Sequence, residues 1–249
     1  MTHPSLPEKP LSGLIALATG ATRGIGRACA LALAEAGAHV IAVGRTQGAL
    51  EELDDQILAA TGARATLVPL DLAQGDQIDG LGRAIHDRWG RLDVMVHAAG
   101  LLGLLTPVSH LEPSVWDRTV TVNFTATYRL IRSLEPLFKR APAARAIFLT
   151  TGVASRPRAF WGVYAATKAG TESLVGCWAD ELEHTPVRAV LLSPGAMRTR
   201  MRAQAYPGED PQTLPDPAEI GPLVVELARP DLAPPFRASF ADWKSKVQA

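Results

Sequence analysis

Residues 14–37, LIALATGATRGIGRACALALAEAG, constrain the fold more than any other stretch of the chain. Leu14 to Ala18 is an apolar run of strand length that stops at TGATRGIG. The following RACALALAEAG has the small-residue periodicity of a buried helix and is closed by Gly37. The order is therefore strand, glycine turn, helix. Gly20, Gly24 and Gly26 let the backbone turn tightly and come close to a pyrophosphate, which free amides and the dipole of the helix N-terminus stabilise. Thr19, Arg23 and Ile25 lie in the same turn. A glycine pattern alone is weak, and a simple packing turn is the plain alternative. Its placement between strand and helix is what points to dinucleotide binding.

The alternation continues along the chain. His39 to Val43 reads as a second strand, residues 47–61 as a surface helix, ATLVPLDL as a third strand ending at Asp71 and Leu72, and residues 74–89 as a helix. LDVMVHAAG is a fourth strand whose end, Ala98, Ala99 and Gly100, is small enough for close backbone approach to a cofactor. His97 on that strand reads as a packed or capped histidine. Pro113 and Ser114 start a helix expected to run to about Arg140, with Trp116, Val120, Phe124, Leu130, Ile131 and Leu134 as its apolar stripe and Pro136 near its end. RAIFLT is the fifth strand, a helix runs from near Tyr164 to about His184, and VRAVLLS is the sixth strand. A last helix spans about Pro217 to Ala228. FRASFA, residues 236–241, is the candidate seventh strand in a tail whose three prolines leave its regular structure open. Such alternation predicts right-handed crossovers and one α/β domain over residues 1–249: a doubly wound, Rossmann-type parallel sheet of about seven strands with helices on both faces. Ligands then belong at the carboxyl ends of the strands.

Two positions decide which dinucleotide fits. After the second strand, no acid is available for the adenosine ribose hydroxyls. Arg45, with Arg23 from the glycine turn, could instead hold a 2′-phosphate, which favours NADP(H) over NAD; two solvated arginines give the same pattern. Asp71 could accept from the adenine amino group or simply serve a turn.

The chemistry-bearing stretch is TTGVASRPRAFWGVYAATK, residues 150–168. If its end begins a helix, Tyr164 and Lys168 are related i to i+4 and leave one face together. A cation close to a phenol favours phenolate and brings the tyrosine toward useful acid and base strength. Thr151, thirteen positions before Tyr164, could offer a second hydroxyl to the same substrate oxygen. Asn123 is polar within an apolar helix and needs partners, either a water leading to Lys168 or a local hydrogen bond. Residues 198–217 are polar and proline-rich, as in a mobile lid over a cofactor or in a passive surface loop. Arg156 and Arg158, with Arg198, Arg200 and Arg202 on the lid, could select an anionic substrate or an acyl-carrier partner, unless they are simply solvated. Phe160, Trp161, Leu102, Leu105 and Met197 argue for an apolar or ring-shaped one, unless they are core.

Composition removes other classes. Lys plus Arg and Asp plus Glu are both 25, so no net field favours nucleic acid or an anionic membrane. No segment reaches the roughly 18 uninterrupted apolar residues of a membrane span. Cys29 and Cys177 both fall in apolar helical patterns and are expected to pack as buried thiols, which fits a reduced, cytoplasmic setting. No metal-ligating cluster is apparent.

TGATRGIG, HAAG, Asn123, YAATK and PGAMRT stand in the order and spacing of the short-chain dehydrogenase/reductase family, and the resemblance covers about residues 10–228. It implies hydride transfer between a nicotinamide and a carbonyl or alcohol carbon of a small molecule. Tyr164 would be the general acid and base, Lys168 would bind the nicotinamide ribose and depress the tyrosine pKa, and Asn123 would hold a relay water. Thr19, Gly20, Gly24 and Gly26 would bind pyrophosphate, Asp71 and Leu72 would meet adenine, and Gly100 would pack by the ribose. Pro194, Gly195 and Thr199 would flank the nicotinamide. Similar enzymes form homodimers or homotetramers through the two helices that carry Asn123 and Tyr164. Three departures stand out. Thr151 replaces the usual serine, His97 and Ala98 replace paired asparagines, and the glycine pair after the last strand is missing. The first of these keeps open a non-catalytic NADP(H)-binding sensor or scaffold of the same fold, and an epimerase or dehydratase is the enzymatic rival.

Overall fold

The computed structural model describes residues 9–248; the first eight residues and Ala249 of the expected single domain lie outside the described residues. The elements in chain order are β1 (Ile15–Thr19), α1 (Gly24–Glu35), β2 (His39–Gly44), α2 (Gln47–Thr61), β3 (Thr66–Pro69), α3 (Gly75–Trp89) and β4 (Val94–His97). They continue with α4 (Pro113–Val120), a π-helical turn over Thr121–Thr125, α5 (Ala126–Phe138), β5 (Ala144–Leu149), α6 (Gly152–Ser155) and α7 (Gly162–Glu181). The chain ends with β6 (Val187–Ser193), α8 (Arg200–Ala205), α9 (Gly221–Ala228), β7 (Arg237–Ser239) and α10 (Phe240–Val247). The seven strands form one sheet in the order β3-β2-β1-β4-β5-β6-β7, and every pair is parallel.

Side chains alternate across the strands, so near-continuous apolar runs fill both faces. On β1, Ala16 and Ala18 face the core made with α1, α2 and α9, while Leu17 faces the core made with α3, α5 and α7. On β4, Val94 and Val96 divide from Met95 in the same way, and on β5 Ile147 and Leu149 divide from Ala146 and Phe148. Order reverses between β1 and β4, which opens a crevice at the carboxyl edge, where ligands of this architecture bind.

Several expected elements came out differently. The helix over 113–140 is interrupted by the π turn, within which Ala126 N–H donates to Thr121 O. Trp116 lies outward at 42 % exposure instead of joining the core, and Tyr128 is half exposed beside the same turn. Cys29 is buried as expected, but Cys177 is exposed. Val175 and Trp178 take the core face of α7, which turns Ser173, Cys177 and Asp180 to the outside. Met197 and Leu102 are buried, and Met197 packs in the core with α9. The proline-rich tail is held by Arg145. Its guanidinium donates to Pro230 O at 2.9 Å and Leu232 O at 2.8 Å, and β7 then pairs with β6.

Packing of α3 on α5 includes a close approach limited by backbone. A Cβ on Gly82 of α3 would lie 2.2 Å from Ser133 O on α5, whereas one on Gly80 would meet nothing within 4 Å. Gly82→Ala is expected to cost about 1–3 kcal/mol through overpacking. Gly80→Ala should gain roughly 0.5–1 kcal/mol, because alanine restricts the unfolded chain and favours helix. Denaturant unfolding of the two variants checks the opposite signs.

Candidate active site

The glycine turn is shaped by contacts that exclude larger residues. Gly20 has φ +67, and a Cβ there would lie 2.9 Å from both Cα and N of Ala99. A Cβ on Gly26 would lie 2.3 Å from Gly20 O, so α1 docks directly against the turn. Gly24, with φ +55, faces the Thr199 methyl, where a Cβ would lie 3.4 Å away. Thr19 Oγ1 accepts from Ala99 N–H at 3.3 Å, and Ala21 N–H donates to Val43 O at 3.1 Å. The ends of β1, β2 and β4 therefore meet at this turn. Ile25 packs partly against the core. Arg23 and Arg45 are exposed, and among the described residues no hydrogen bond or ion pair engages either guanidinium.

Asp71 and Leu72 sit past the end of β3. One Asp71 carboxylate oxygen accepts from Ala73 N–H at 3.0 Å, and the other lies 3.5 Å from Arg118, so the acid is already engaged. Leu72 is buried in the core.

Gly100 joins this edge to the reactive groups. A Cβ there would lie 3.5 Å from Asn123 Oδ1 and 4.0 Å from Lys168 Nζ. Asn123 is buried and fully partnered. Its Oδ1 accepts from Leu101 N–H at 2.7 Å, while Nδ2 donates to Leu101 O at 2.8 Å and to Thr167 Oγ1 at 3.1 Å. Thr167 in turn donates to Tyr164 O. The Asn123 carbonyl accepts from the hydroxyls of Thr127 at 2.9 Å and Thr171 at 3.2 Å. The π turn over Thr121–Thr125 is centred on Asn123, and such turns are frequent at functional sites.

Tyr164 and Lys168 both lie on α7, in its first and second turns. Lys168 Nζ is buried and donates to Leu149 O at 2.7 Å. Burial lowers its pKa to about 8, opposed by the negative charge of Glu172. Burial of the Tyr164 phenol raises its pKa to about 12. The expected depression by lysine is absent from this arrangement, because the ammonium is directed at a backbone carbonyl. Thr150 and Thr151 separate cleanly. Thr150 is buried and donates to Glu172 at 2.5 Å, whereas Thr151 is half-buried at the start of α6 and makes no side-chain cap bond.

Beyond Tyr164 the wall is aromatic. Trp161 lies 5.9 Å, ring to ring, from both Tyr164 and Tyr206, and Arg202 sits 3.7 Å over the Tyr206 ring. Phe160 is 56 % exposed with φ 74, a conformation that costs a non-glycine residue about 1–2 kcal/mol. Its carbonyl accepts from Thr106 N–H at 3.1 Å. The segment over 198–217 carries α8 and is tied at its ends, since Arg198 N–H donates to Pro215 O and its guanidinium pairs with Asp216 at 2.8 Å. Arg202 is bidentate to Glu209. Arg198 and Arg202 are thus spent within the segment, while Arg156, Arg158 and Arg200 are exposed. Pro194 is buried and Gly195 adopts φ +72 where the chain leaves β6.

Thr127, Thr167 and Thr171 were not singled out in the sequence. Their signal was positional: a threonine four residues after Asn123, and two that flank Lys168 on α7. His97 is buried as expected, but it bridges two threonines: Nδ1 lies 2.7 Å from Thr19 Oγ1 and Nε2 lies 3.1 Å from Thr127 Oγ1. Burial, aided by the charge of Lys168, lowers its pKa to about 3. Among the described residues, no cluster of three His, Cys, Asp or Glu could hold a metal. Nor, among the described residues, is any helix long and apolar enough to cross a membrane.

The family model described as short chain dehydrogenase matches residues 14–210. The chain is 39% identical over 223 residues to the oxidoreductase YciK of Escherichia coli, covering 89% of this chain and 88% of the relative. A short chain dehydrogenase structure from Pseudomonas syringae superimposes with a TM-score of 0.90 at 40% identity, covering 96% of this chain and 98% of the other. One from Escherichia coli CFT073, complexed with NADPH, gives 0.88 at 36% identity, covering 94% and 98%.

Because His97 titrates at about 3 when folded and near 6.5 when unfolded, the unfolded chain binds the extra proton between those values. Stability contributed by neutral His97 is complete above pH 6.5 and falls as pH drops toward 3. His97→Gln should therefore remove up to about 1.4 kcal/mol per pH unit of acid destabilisation in that window. Urea unfolding of both proteins at pH 7 and pH 4.5 measures it.

Proposed function

This chain belongs to the short-chain dehydrogenase family, and from that premise we propose that it is an NADP(H)-dependent oxidoreductase. It moves a hydride between the nicotinamide and a carbonyl or alcohol carbon, with Tyr164 as general acid and base. The observation that carries this reading is the convergence of Gly100 after β4, Asn123 in the π turn and Lys168 on α7, the helix that also presents Tyr164, within about one side-chain contact.

The residues present fit the dinucleotide. The turn is packed closely on its protein side, where a Cβ on Gly20 would strike Ala99 and one on Gly26 would strike Gly20 O, so its backbone can come close to a pyrophosphate with Thr19, Gly24, Ile25 and Thr199 around it. Arg23 and Arg45 are free to take a 2′-phosphate, which supports NADP(H), as does the NADPH bound by the Escherichia coli neighbour. Ala99 and Gly100 would pass the ribose, and Pro194 and Gly195 would border the nicotinamide. Asp71 and Leu72 would contribute mainly backbone at the adenine end. When bound, the dinucleotide supplies or accepts the hydride.

The chain's own groups handle the proton. In reduction, the Thr151 hydroxyl and the Tyr164 phenol donate to the carbonyl oxygen, where negative charge develops. Burial keeps Tyr164 protonated at neutral pH, which suits the acid role, and it delivers its proton to that oxygen. In the reverse direction the phenolate takes the alcohol's proton, a form that Lys168 would favour once its ammonium turned from Leu149 O toward the phenol. Asn123 acts through position: it fixes Leu101 and, via Thr167, the first turn of α7.

The aromatic wall supports an uncharged, ring-bearing substrate. Trp161 borders Tyr164 and exposed Phe160 precedes it in the chain, whereas two of the five arginines that could recognise an anion are committed to Asp216 and Glu209. A strained, exposed aromatic residue beside a reactive group is the kind of feature retained for ligand contact. The segment 198–217 serves as the lid over this pocket. Outward Trp116 and Tyr128, with Cys177 exposed on α7, support pairing of two copies through these helices.

A panel of aromatic and short aliphatic carbonyls with NADPH tests the reading. Tyr164→Phe should lower kcat by about 10²–10⁴ with NADPH affinity retained, the range for a lost acid or base. Trp161→Ala should raise KM for aromatic substrates alone. Wild-type turnover by Tyr164→Phe rejects the role, and NADPH binding without turnover of any carbonyl leaves a non-catalytic binding protein. Replacing both Arg23 and Arg45 with Ala should weaken NADPH about 10–100-fold and leave NADH affinity nearly unchanged, by analogy with lost charge-assisted bonds of about 1.5–3 kcal/mol. Titration calorimetry with the two dinucleotides reads that difference.

A further inference from the structure

The bond between His97 and Thr127 extends the site in a direction that the catalytic roles do not use. Thr127 Oγ1 lies 2.9 Å from Asn123 O, and a carbonyl can only accept, so the Thr127 proton is committed there. Thr127 can then only accept from His97, which places a hydrogen on Nε2. A buried, neutral imidazole carries one proton, so Nδ1 accepts from the Thr19 hydroxyl, and Thr19 Oγ1 accepts from Ala99 N–H. The reverse polarity would have Thr19 accept from both Ala99 and His97, leaving its own proton without a buried acceptor. One direction therefore satisfies every member of the chain.

The ends of this chain matter as much as its polarity. Thr19 begins the glycine turn against which Ala99 packs, and Asn123 O is the carbonyl of the π turn. From Asn123 the hydrogen bonds continue through its amide to Thr167 and then to Tyr164 O. The imidazole is the only side chain of this path on β4 and spans from the turn to α5.

We propose that His97, locked as the Nε2–H tautomer, is a positioning residue that couples dinucleotide binding at the Thr19 turn to the π turn that holds Asn123. The proposal rests on the dinucleotide reading above. Ligand that orders the turn fixes the Thr19 hydroxyl. That hydroxyl fixes the ring, and the ring fixes Thr127 and the Asn123 carbonyl. Leucine at this position would fill the space but carry no hydrogen bond. Glutamine has an acceptor and a donor at a similar separation and can restore the path.

Two measurements test it. Nitrogen-15 NMR of the imidazole in the wild-type protein should show hydrogen on Nε2; hydrogen on Nδ1 overturns the proposal, with or without dinucleotide. Hydrogen exchange with and without NADPH should show protection at residues 19–26 and also at 121–127 in the wild type and in His97→Gln. In His97→Leu the protection at 121–127 should fall by about tenfold while that at 19–26 persists, a size typical of coupling through packed networks. Equal protection of 121–127 in His97→Leu refutes the coupling. If His97→Leu does not fold, loss of the distant protection in His97→Gln refutes it, and its retention together with the Nε2 tautomer supports it. Absence of protection at 19–26 in the wild type would instead reject the dinucleotide reading and leave the tautomer result standing.

Discussion

Asn123 is the point on which the rest of the site depends. Its amide bonds both backbone groups of Leu101 and the hydroxyl of Thr167, so the loop after β4 and the first turns of α7 are held to one side chain. Each such bond is worth only about 0.5–1.5 kcal/mol net, but leaving a buried amide unsatisfied costs about 1–3 kcal/mol. The site is therefore specified by the penalty for any other arrangement. The π turn is the backbone's part of this: it releases Asn123 from the regular α-helical ladder and lets Thr127 and Thr171 take its carbonyl.

Low dielectric gives the same residues their chemistry. Burial drives Tyr164 up, Lys168 down and His97 far down, and all three shifts favour the neutral form. A neutral phenol can donate to an oxygen that is gaining charge, and a neutral imidazole can donate at one nitrogen while accepting at the other. Lys168 is the member that can still be charged near neutral pH, with Leu149 O as its partner and Glu172 nearby. Glu172 also fixes Thr150 and pairs with Arg237 on β7, so the last strand of the sheet is linked electrostatically to the helix that carries Tyr164 and Lys168.

The segment 198–217 illustrates how local ion pairs alter a functional reading. Five arginines in a neutral chain look like a site for an anion. Arg198 and Arg202 instead hold the segment's own shape through Asp216 and Glu209, and Arg202 stacks on Tyr206, which in turn meets Trp161. What faces the Tyr164 region is then aromatic surface, with Phe160 kept in a left-handed conformation by the loop that ends in α7.

By itself, the sequence determined the strands, the main helices between them and their order, but not α6, α8, α10 or the π turn. Apolar runs of strand length, the glycine turn and helical periodicity are local properties, and together they specify a parallel sheet with ligand at its carboxyl edge. The same is true of the i to i+4 relation of Tyr164 and Lys168, which any helix enforces. Only the tertiary structure decided the rest, because it depends on which face meets which. Trp116 and Cys177 fall in apolar patterns yet point outward, since periodicity gives a stripe but not the partner that covers it. Thr127, Thr167 and Thr171 look like ordinary helix threonines until Asn123 is brought against them. His97 reads as a packed histidine, and it is one. Its two bonds to Thr19 and Thr127, 78 and 30 residues away, exist only once β4 lies between β1 and α5. Long-range polar satisfaction has no period in a sequence, and it is what turns the expected residues into a connected site.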